Sequence, residues 1–256
     1  IIEEVSAVNG QVAFGTDILT RITYALESKE NAKSLQFATV ETFRQLLESL
    51  EEKTGIRAEK CPIMVISGNT TMIHFLLGLD AWTVFASPFA PVTTDPGFFW
   101  GKEVGMAFEG LIYVVPAASN YVGGDIVSGL LKLDLHKQEQ VGLFFDIGTN
   151  GELVLGNKDR LIACSTAAGP ALEGANISCG MRGRPGAIDH VWAKDGKLYC
   201  STIGGLKAEG ICGSGLIDAT DAALELGLIN SRGRVQTEDR CLRLAEGVTL
   251  IHDDIR

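Results

Sequence analysis

The residues best placed to do chemistry are Asp146, Gly148, Thr149, Asn150 and Gly151, in the run Asp146-Ile-Gly-Thr-Asn-Gly-Glu152. The apolar stretch Val141-Gly-Leu-Phe-Phe145 leads into it, so a strand is predicted to deliver a carboxylate to a glycine-rich hairpin turn. Glycines at such a turn leave backbone N–H groups to face phosphate oxygens, and a threonine hydroxyl adds a donor. A carboxylate at the strand end can hold a Mg²⁺-bound water, because Mg²⁺ keeps several waters beside one or two carboxylates. Asn-Gly is also the commonest two-residue hairpin turn. Spacing alone leaves a purely structural turn open.

Other groups carry weaker chemistry, each with a structural alternative. Asp125 follows Gly123-Gly124 and heads a predicted helix, where it is either an N-cap or a carboxylate aimed at a ligand. Glu173 and Asn176 share one face if their segment is helical, as a capping pair or facing a ligand. Arg182 and Arg184 flank Gly183, and their guanidinium forks suit phosphates or partner carboxylates if not simply solvated. His74, on a predicted helix, reads as packed or exposed rather than catalytic. Trp82, Trp100 and Phe98-Phe99 read as core residues or as an exposed contact surface. Glycines and acids recur at predicted strand ends, where α/β folds bind ligands. Asp125, Asp146, Gly148, Thr149 and Gly169 are therefore expected to converge on one pocket.

The positioning elements alternate between helix and strand. Residues 31–53 carry apolar positions at Phe43, Leu46, Leu47 and Leu50 with charges between, which predicts a helix stopped by Gly55. Residues 62–67 read as a buried strand, turned by Gly68-Asn69 into a helix over 70–77. Residues 86–105 read as a long loop, 111–115 as a strand and 125–133 as a helix. Strands are expected at 152–155 and 161–165, and a helix after Gly213-Ser-Gly215 that stops at Gly227. The class is α/β.

Composition excludes several roles. Asp plus Glu number 32 against 22 Lys plus Arg, a net charge of −10, and no basic run marks a nucleic-acid partner. No stretch approaches the ~20 apolar residues of a membrane span, and the expected location is the cytoplasm. The six cysteines contain no CxxC pair and read as buried free thiols without metal or cluster. The 30 glycines gather in turns, where they permit positive φ and close approach of a ligand.

Six segments in order point to one family: Ser67-Gly-Asn-Thr-Thr-Met-Ile-His74, Val122-Gly-Gly-Asp-Ile126, Asp146 to Glu152, Ala167-Ala-Gly-Pro-Ala-Leu-Glu-Gly-Ala-Asn-Ile-Ser178, Gly180-Met-Arg-Gly-Arg-Pro-Gly-Ala-Ile188 and Gly210-Ile-Cys-Gly-Ser-Gly-Leu-Ile217. The chain resembles the ATP-dependent reductive activators of corrinoid proteins. The hairpin resembles the second phosphate-binding hairpin of actin, the heat-shock chaperone ATPases and sugar kinases. The resemblance implies an actin-like, sugar-kinase-like ATPase fold with RNase H-like lobes, incomplete at both ends. A first lobe and middle region would occupy 1–140 and a second, truncated lobe 141–256.

The same resemblance implies ATP with Mg²⁺, Asp125 and Asp146 as metal-positioning and catalytic carboxylates, and Gly123, Gly124, Gly148, Thr149, Asn150, Gly151, Gly169 and Glu173 on the nucleotide. It implies reduction of cob(II)alamin to cob(I)alamin in a corrinoid protein partner, a homodimer, and a [2Fe–2S] cluster only in a domain absent from this chain. The first phosphate hairpin and the adenosine motif of the superfamily are missing, so the isolated chain is expected to bind ATP weakly or not at all. A small-molecule kinase and a non-enzymatic nucleotide-binding scaffold for docking and dimerisation are the alternatives.

Overall fold

Capping residues set the first helices. The structure, a computed structural model, describes every residue except Thr16, Thr149, Ala168 and Arg256. Asp17 opens α1 (Ile18–Glu27) by accepting the Thr20 N–H at 2.9 Å. Ser28 ends α1 and caps α2 (Lys29–Thr54), accepting from the Asn31 N–H at 3.0 Å. Each such cap stabilises by ~1 kcal/mol. Gly55 stops α2 with φ 69°, the left-handed conformation that glycine adopts most cheaply.

The chain divides into two compact units, Ile1–Phe144 with Glu152–Cys164, and Phe145–Gly151 with Ser165–Arg256. In the first, β1 (Ile63–Ile66) runs through a turn into α3 (Thr70–Leu77) and the single turn α4 (Trp82–Phe85). β2 (Gly97–Trp100) and β3 (Leu111–Val114) follow, then α5 (Gly124–Leu133). The sheet order is β1-β3-β2, with β1 parallel and β2 antiparallel to β3. Ile66, Ile112 and Val114 pack from it against Ile73 and Leu76 of α3. Burying each such side chain is worth roughly 1.5–3 kcal/mol.

Two expectations for this unit need correction. The segment 62–67 is a strand, but it is not buried on both faces. Val65 is 61% exposed, because helices cover only the face that carries Ile66. The segment 86–105 is not all loop, since β2 pairs Phe98 with Tyr113 and Trp100 with Leu111. Strand alternation turns Phe99 inward and leaves Phe98 and Trp100 exposed. Trp82 is exposed as well.

Three strands, β4 (Gly142–Ile147), β5 (Asn150–Gly156) and β6 (Leu161–Ala167), form a sheet in the order β4-β5-β6. In the second unit β7 (Ala187–Lys194) lies between an antiparallel β8 (Lys197–Thr202) and a parallel β9 (Gly210–Ile211). Helix α6 (Gly213–Glu225) covers β7, and β10 (Cys241–Ala245) pairs with β11 (Val248–Ile251). Ile188, Ile211, Leu216, Ala219 and Leu250 form the core. The helix begins at Gly213, three residues before its first predicted apolar position, and Gly227 ends the turn beyond it with φ 68°.

The six cysteines stand as free thiols, as expected, but only Cys212 is buried. Cys164 is exposed because most of β6 faces solvent. Partial burial pushes the Cys179 and Cys200 thiols above the ordinary value. No described helix is long and apolar enough to cross a membrane.

Candidate functional site

The hairpin forms where the residues require it. β4 ends at Asp146-Ile147, β5 begins at Asn150, and the Gly148 N–H donates to the Asn150 carbonyl oxygen at 2.9 Å. That amide is therefore used inside the turn, and the expectation that the turn glycines leave their N–H groups free fails at Gly148. Asp146 is exposed at the strand end. Thr149 lies outside the described residues.

Backbone packing demands a glycine at some of the candidate positions, while others border open space. At Gly123 an added Cβ would lie 2.8 Å from the Asn69 Cα and 2.5 Å from the Asp125 carboxylate. At Gly124 it would meet the Val115 carbonyl oxygen at 2.4 Å, and at Gly151 the Phe145 ring at 2.9 Å. Close packing accounts for these three. Around Gly148 the nearest atom is the Asn150 oxygen at 3.7 Å, and around Gly169, with φ 80°, nothing lies within 4 Å. A Cβ at Gly148 or Gly169 would thus meet no crowding from other described segments, and the Asp146 carboxylate beside Gly148 is exposed, as a carboxylate that holds a Mg²⁺-bound water must be.

Glu173 is exposed at the end of a 3-10 turn, Pro170–Glu173. Asn176 does not share its face as a helix would require, because its φ of 61° is left-handed and breaks the segment. Asp254 holds this region in place. It is only 9% exposed, and its Oδ1 accepts the Ser178 N–H at 2.8 Å and the Ser178 hydroxyl at 3.1 Å. Its Oδ2 accepts the Ile251 N–H at 2.7 Å. No local sequence pattern ties Asp254 to Ser178, so only the fold brings this carboxylate to the segment. Arg182 and Arg184 are exposed, and Arg184 approaches Glu209 at 3.5 Å.

In the first unit, Asp125 heads α5 from within the first turn rather than as the cap, a place taken by Gly123. It borders a cavity of about 360 Å³ beside the turn that leads from β1 into α3. Ser67, Gly68 and Asn69 line it on the same side, and Thr42 and Phe43 of α2 oppose them. The Asn69 side chain caps α3 by accepting the Thr71 N–H at 3.0 Å. An Asn before Thr-Thr at a strand–helix turn is a readable cap signal, and it also marks this polar end of the cavity. Asp125 and the hairpin residues fall in different units.

His74 is structural, as its position on a predicted helix implied. It is fully buried, its Nδ1 donates to the Thr70 carbonyl oxygen at 2.7 Å, and its Nε2 accepts the Val92 N–H at 3.1 Å. These partners assign the neutral Nδ1–H tautomer. Burial lowers its pKa below the ordinary histidine value, against the opposing pull of the Thr70 bond and the Asp80 charge.

Two family models match the chain. One, described as the RACo middle region, covers residues 1–138, and the other, described as the C-terminal domain of RACo, the ASKHA domain, covers residues 140–252. The corrinoid activation enzyme RamQ of Eubacterium limosum is 35% identical over 235 residues, 91% of this chain and 39% of its own length. A Methanosarcina barkeri protein named as a reductase of the Co(II) methylated amine-specific corrinoid protein is 34% identical over 166 residues, 56% of this chain and 30% of its own length. A solved reductive activator for corrinoid, iron-sulfur protein superposes with a TM-score of 0.80 at 34% identity, covering 96% of this chain and 43% of that one. The chain spans less than half the length of each of these relatives.

Proposed function

Because the chain belongs to the RACo family, whose middle-region and ASKHA-domain models match residues 1–138 and 140–252, we propose that it is the nucleotide-handling part of a corrinoid-protein reductive activator. The observation that carries this reading is the hairpin of Asp146, Gly148, Asn150 and Gly151, with open space at Gly148 and Gly169. In this reading Gly148, Thr149, Asn150, Gly151 and Gly169 hold the phosphates of ATP. Asp146 positions its Mg²⁺, and Glu173, in the same unit, completes the nucleotide's surroundings. Residues 1–140 form the first lobe and middle region, and 141–256 the second.

Nucleotide binding supplies a free-energy difference between two conformations, and it shifts their populations only by that difference. The conformation it favours is the one in which the partner's cob(II)alamin accepts an electron to give cob(I)alamin. The electron comes from a [2Fe–2S] cluster in a domain outside this chain. The protein works in the cytoplasm as a homodimer. A charge-assisted contact contributes ~1.5–3 kcal/mol, about ten- to more than a hundredfold in affinity.

The test uses calorimetric titration of the chain with Mg·ATP, then spectroscopic cob(I)alamin formation by a longer protein that carries the cluster domain. ATP-stimulated reduction that Asp146→Ala abolishes without unfolding the protein is the expected result. Normal stimulation in that variant removes Asp146 from the mechanism. Phosphorylation of a small substrate without corrinoid reduction would establish the kinase alternative.

A further inference from the structure

A groove of about 800 Å³ runs through the first unit between the α1–α2 pair and the corner where α3 leads into α4. Its floor is apolar, with Ile22 and Ala25 from α1, Phe75 from α3 and Ala81 at the corner. At its mouth stand two large apolar side chains, Leu26 at 50% and Trp82 at 46% exposure. The α2 rim carries Lys29 and Lys33, one turn apart and both exposed. Neither has an ion-pair partner among the described residues, in a chain with net charge −10. The opposite rim carries Asp80, whose carboxylate accepts the Trp82 N–H at 2.8 Å and so fixes the corner.

An apolar channel between helices, with one charged rim, is the shape an amphipathic helix fills, its anchors at i, i+3 or i+4, and i+7. The α2 rim runs from Lys29 to Gln36, about 11 Å at 1.5 Å per residue, which matches two turns of a docked helix. Two unpaired lysines on that rim select the charge of the guest's edge, because charge complementarity fixes register and suppresses wrong partners. We propose that this groove docks an amphipathic helix of a partner protein, with an acidic edge along Lys29 and Lys33 and its apolar face on Ile22 and Phe75. The proposal does not depend on the nucleotide reading, since none of these residues takes part in it.

The probe is a fluorescently labelled 14-residue helical peptide with leucines at i, i+4 and i+7 and glutamates along one flank. Its counterpart carries lysines at the glutamate positions. Both are titrated by anisotropy, at low and high salt, against the 256-residue chain and against a Lys29→Glu, Lys33→Glu variant. Both substitutions are on the exposed surface of α2, and circular dichroism checks that the helix content is kept. The acidic peptide should bind the parent at least about tenfold more tightly than the variant, and high salt should reduce the difference. The lysine peptide should show the reverse preference. Equal binding of both peptides to the parent, no binding of either, or a failure of the charge swap to reverse the preference overturns the proposal. A dimer of the chain, measured by light scattering, that the acidic peptide does not dissociate but the double variant does would assign the groove to a second copy instead.

Discussion

Replacing Asp254 by Ala removes the acceptor for two backbone N–H groups, on Ser178 and Ile251, and for the Ser178 hydroxyl. An orphaned buried donor costs ~1–3 kcal/mol. Ser178 and Ile251 both lie at the surface, so the two N–H groups are only partly buried and the hydroxyl can turn toward water, and the expected total loss is about 1–3 kcal/mol. That is a large share of the ~5–15 kcal/mol that a folded domain holds in reserve. Asp254→Asn keeps one carboxamide oxygen but presents an NH₂ group to the second donor, so about half of that loss is expected. The assay is urea denaturation of the chain and the two variants, with amide hydrogen exchange read at Ser178 and Ile251. Exchange should accelerate at both sites in Asp254→Ala and chiefly at one in Asp254→Asn. An Asp254→Ala variant within about 0.5 kcal/mol of the parent, with protection at Ser178 and Ile251 unchanged, would refute the assignment. Equal losses in both variants would refute the count of acceptors.

Other outcomes follow from the same contacts. His74 is held neutral with a lowered pKa, so the unfolded chain takes up the proton first as pH falls. Its stabilisation is full above about pH 6.5 and is lost as pH drops toward the lower folded value. The thermal midpoint should therefore fall between about pH 7 and pH 5 by more in the parent than in His74→Gln, and equal slopes would exclude His74 as the cause. At Gly213 an added Cβ would lie 2.0 Å from the Leu172 carbonyl oxygen, and at Gly215 2.2 Å from that of Ile188. Either Gly→Ala change should cost about 1–3 kcal/mol or more in urea denaturation, whereas Gly55→Ala, with open space, should cost only the ~1 kcal/mol of its left-handed backbone. Gly169→Ala also meets open space, so in a nucleotide-binding form of the protein it should weaken ATP in calorimetry while its denaturation midpoint shifts by a similarly small amount.

The sequence alone determined what depends on neighbours a few residues apart. The apolar spacing of α2 and its Gly55 stop were legible because helix geometry repeats every 3.6 residues and a left-handed C-terminus selects glycine. The hairpin from Asp146 to Glu152 was legible because an apolar strand ran into Gly-Thr-Asn-Gly, and the order of six motifs indicated the family. Tertiary structure decided the rest. Asp254 meets Ser178 across 76 positions, and no periodicity records a pairing at that distance. The glycine pairs looked alike in sequence, yet Gly123-Gly124 and Gly213 abut backbone carbonyls or Cα atoms while Gly148 and Gly169 border open space. The difference lies in which distant segment approaches each glycine. The exposure of Val65, Phe98 and Cys164 was likewise decided by which face of a strand another element covers, since alternation shows that two faces exist but not which of them is packed.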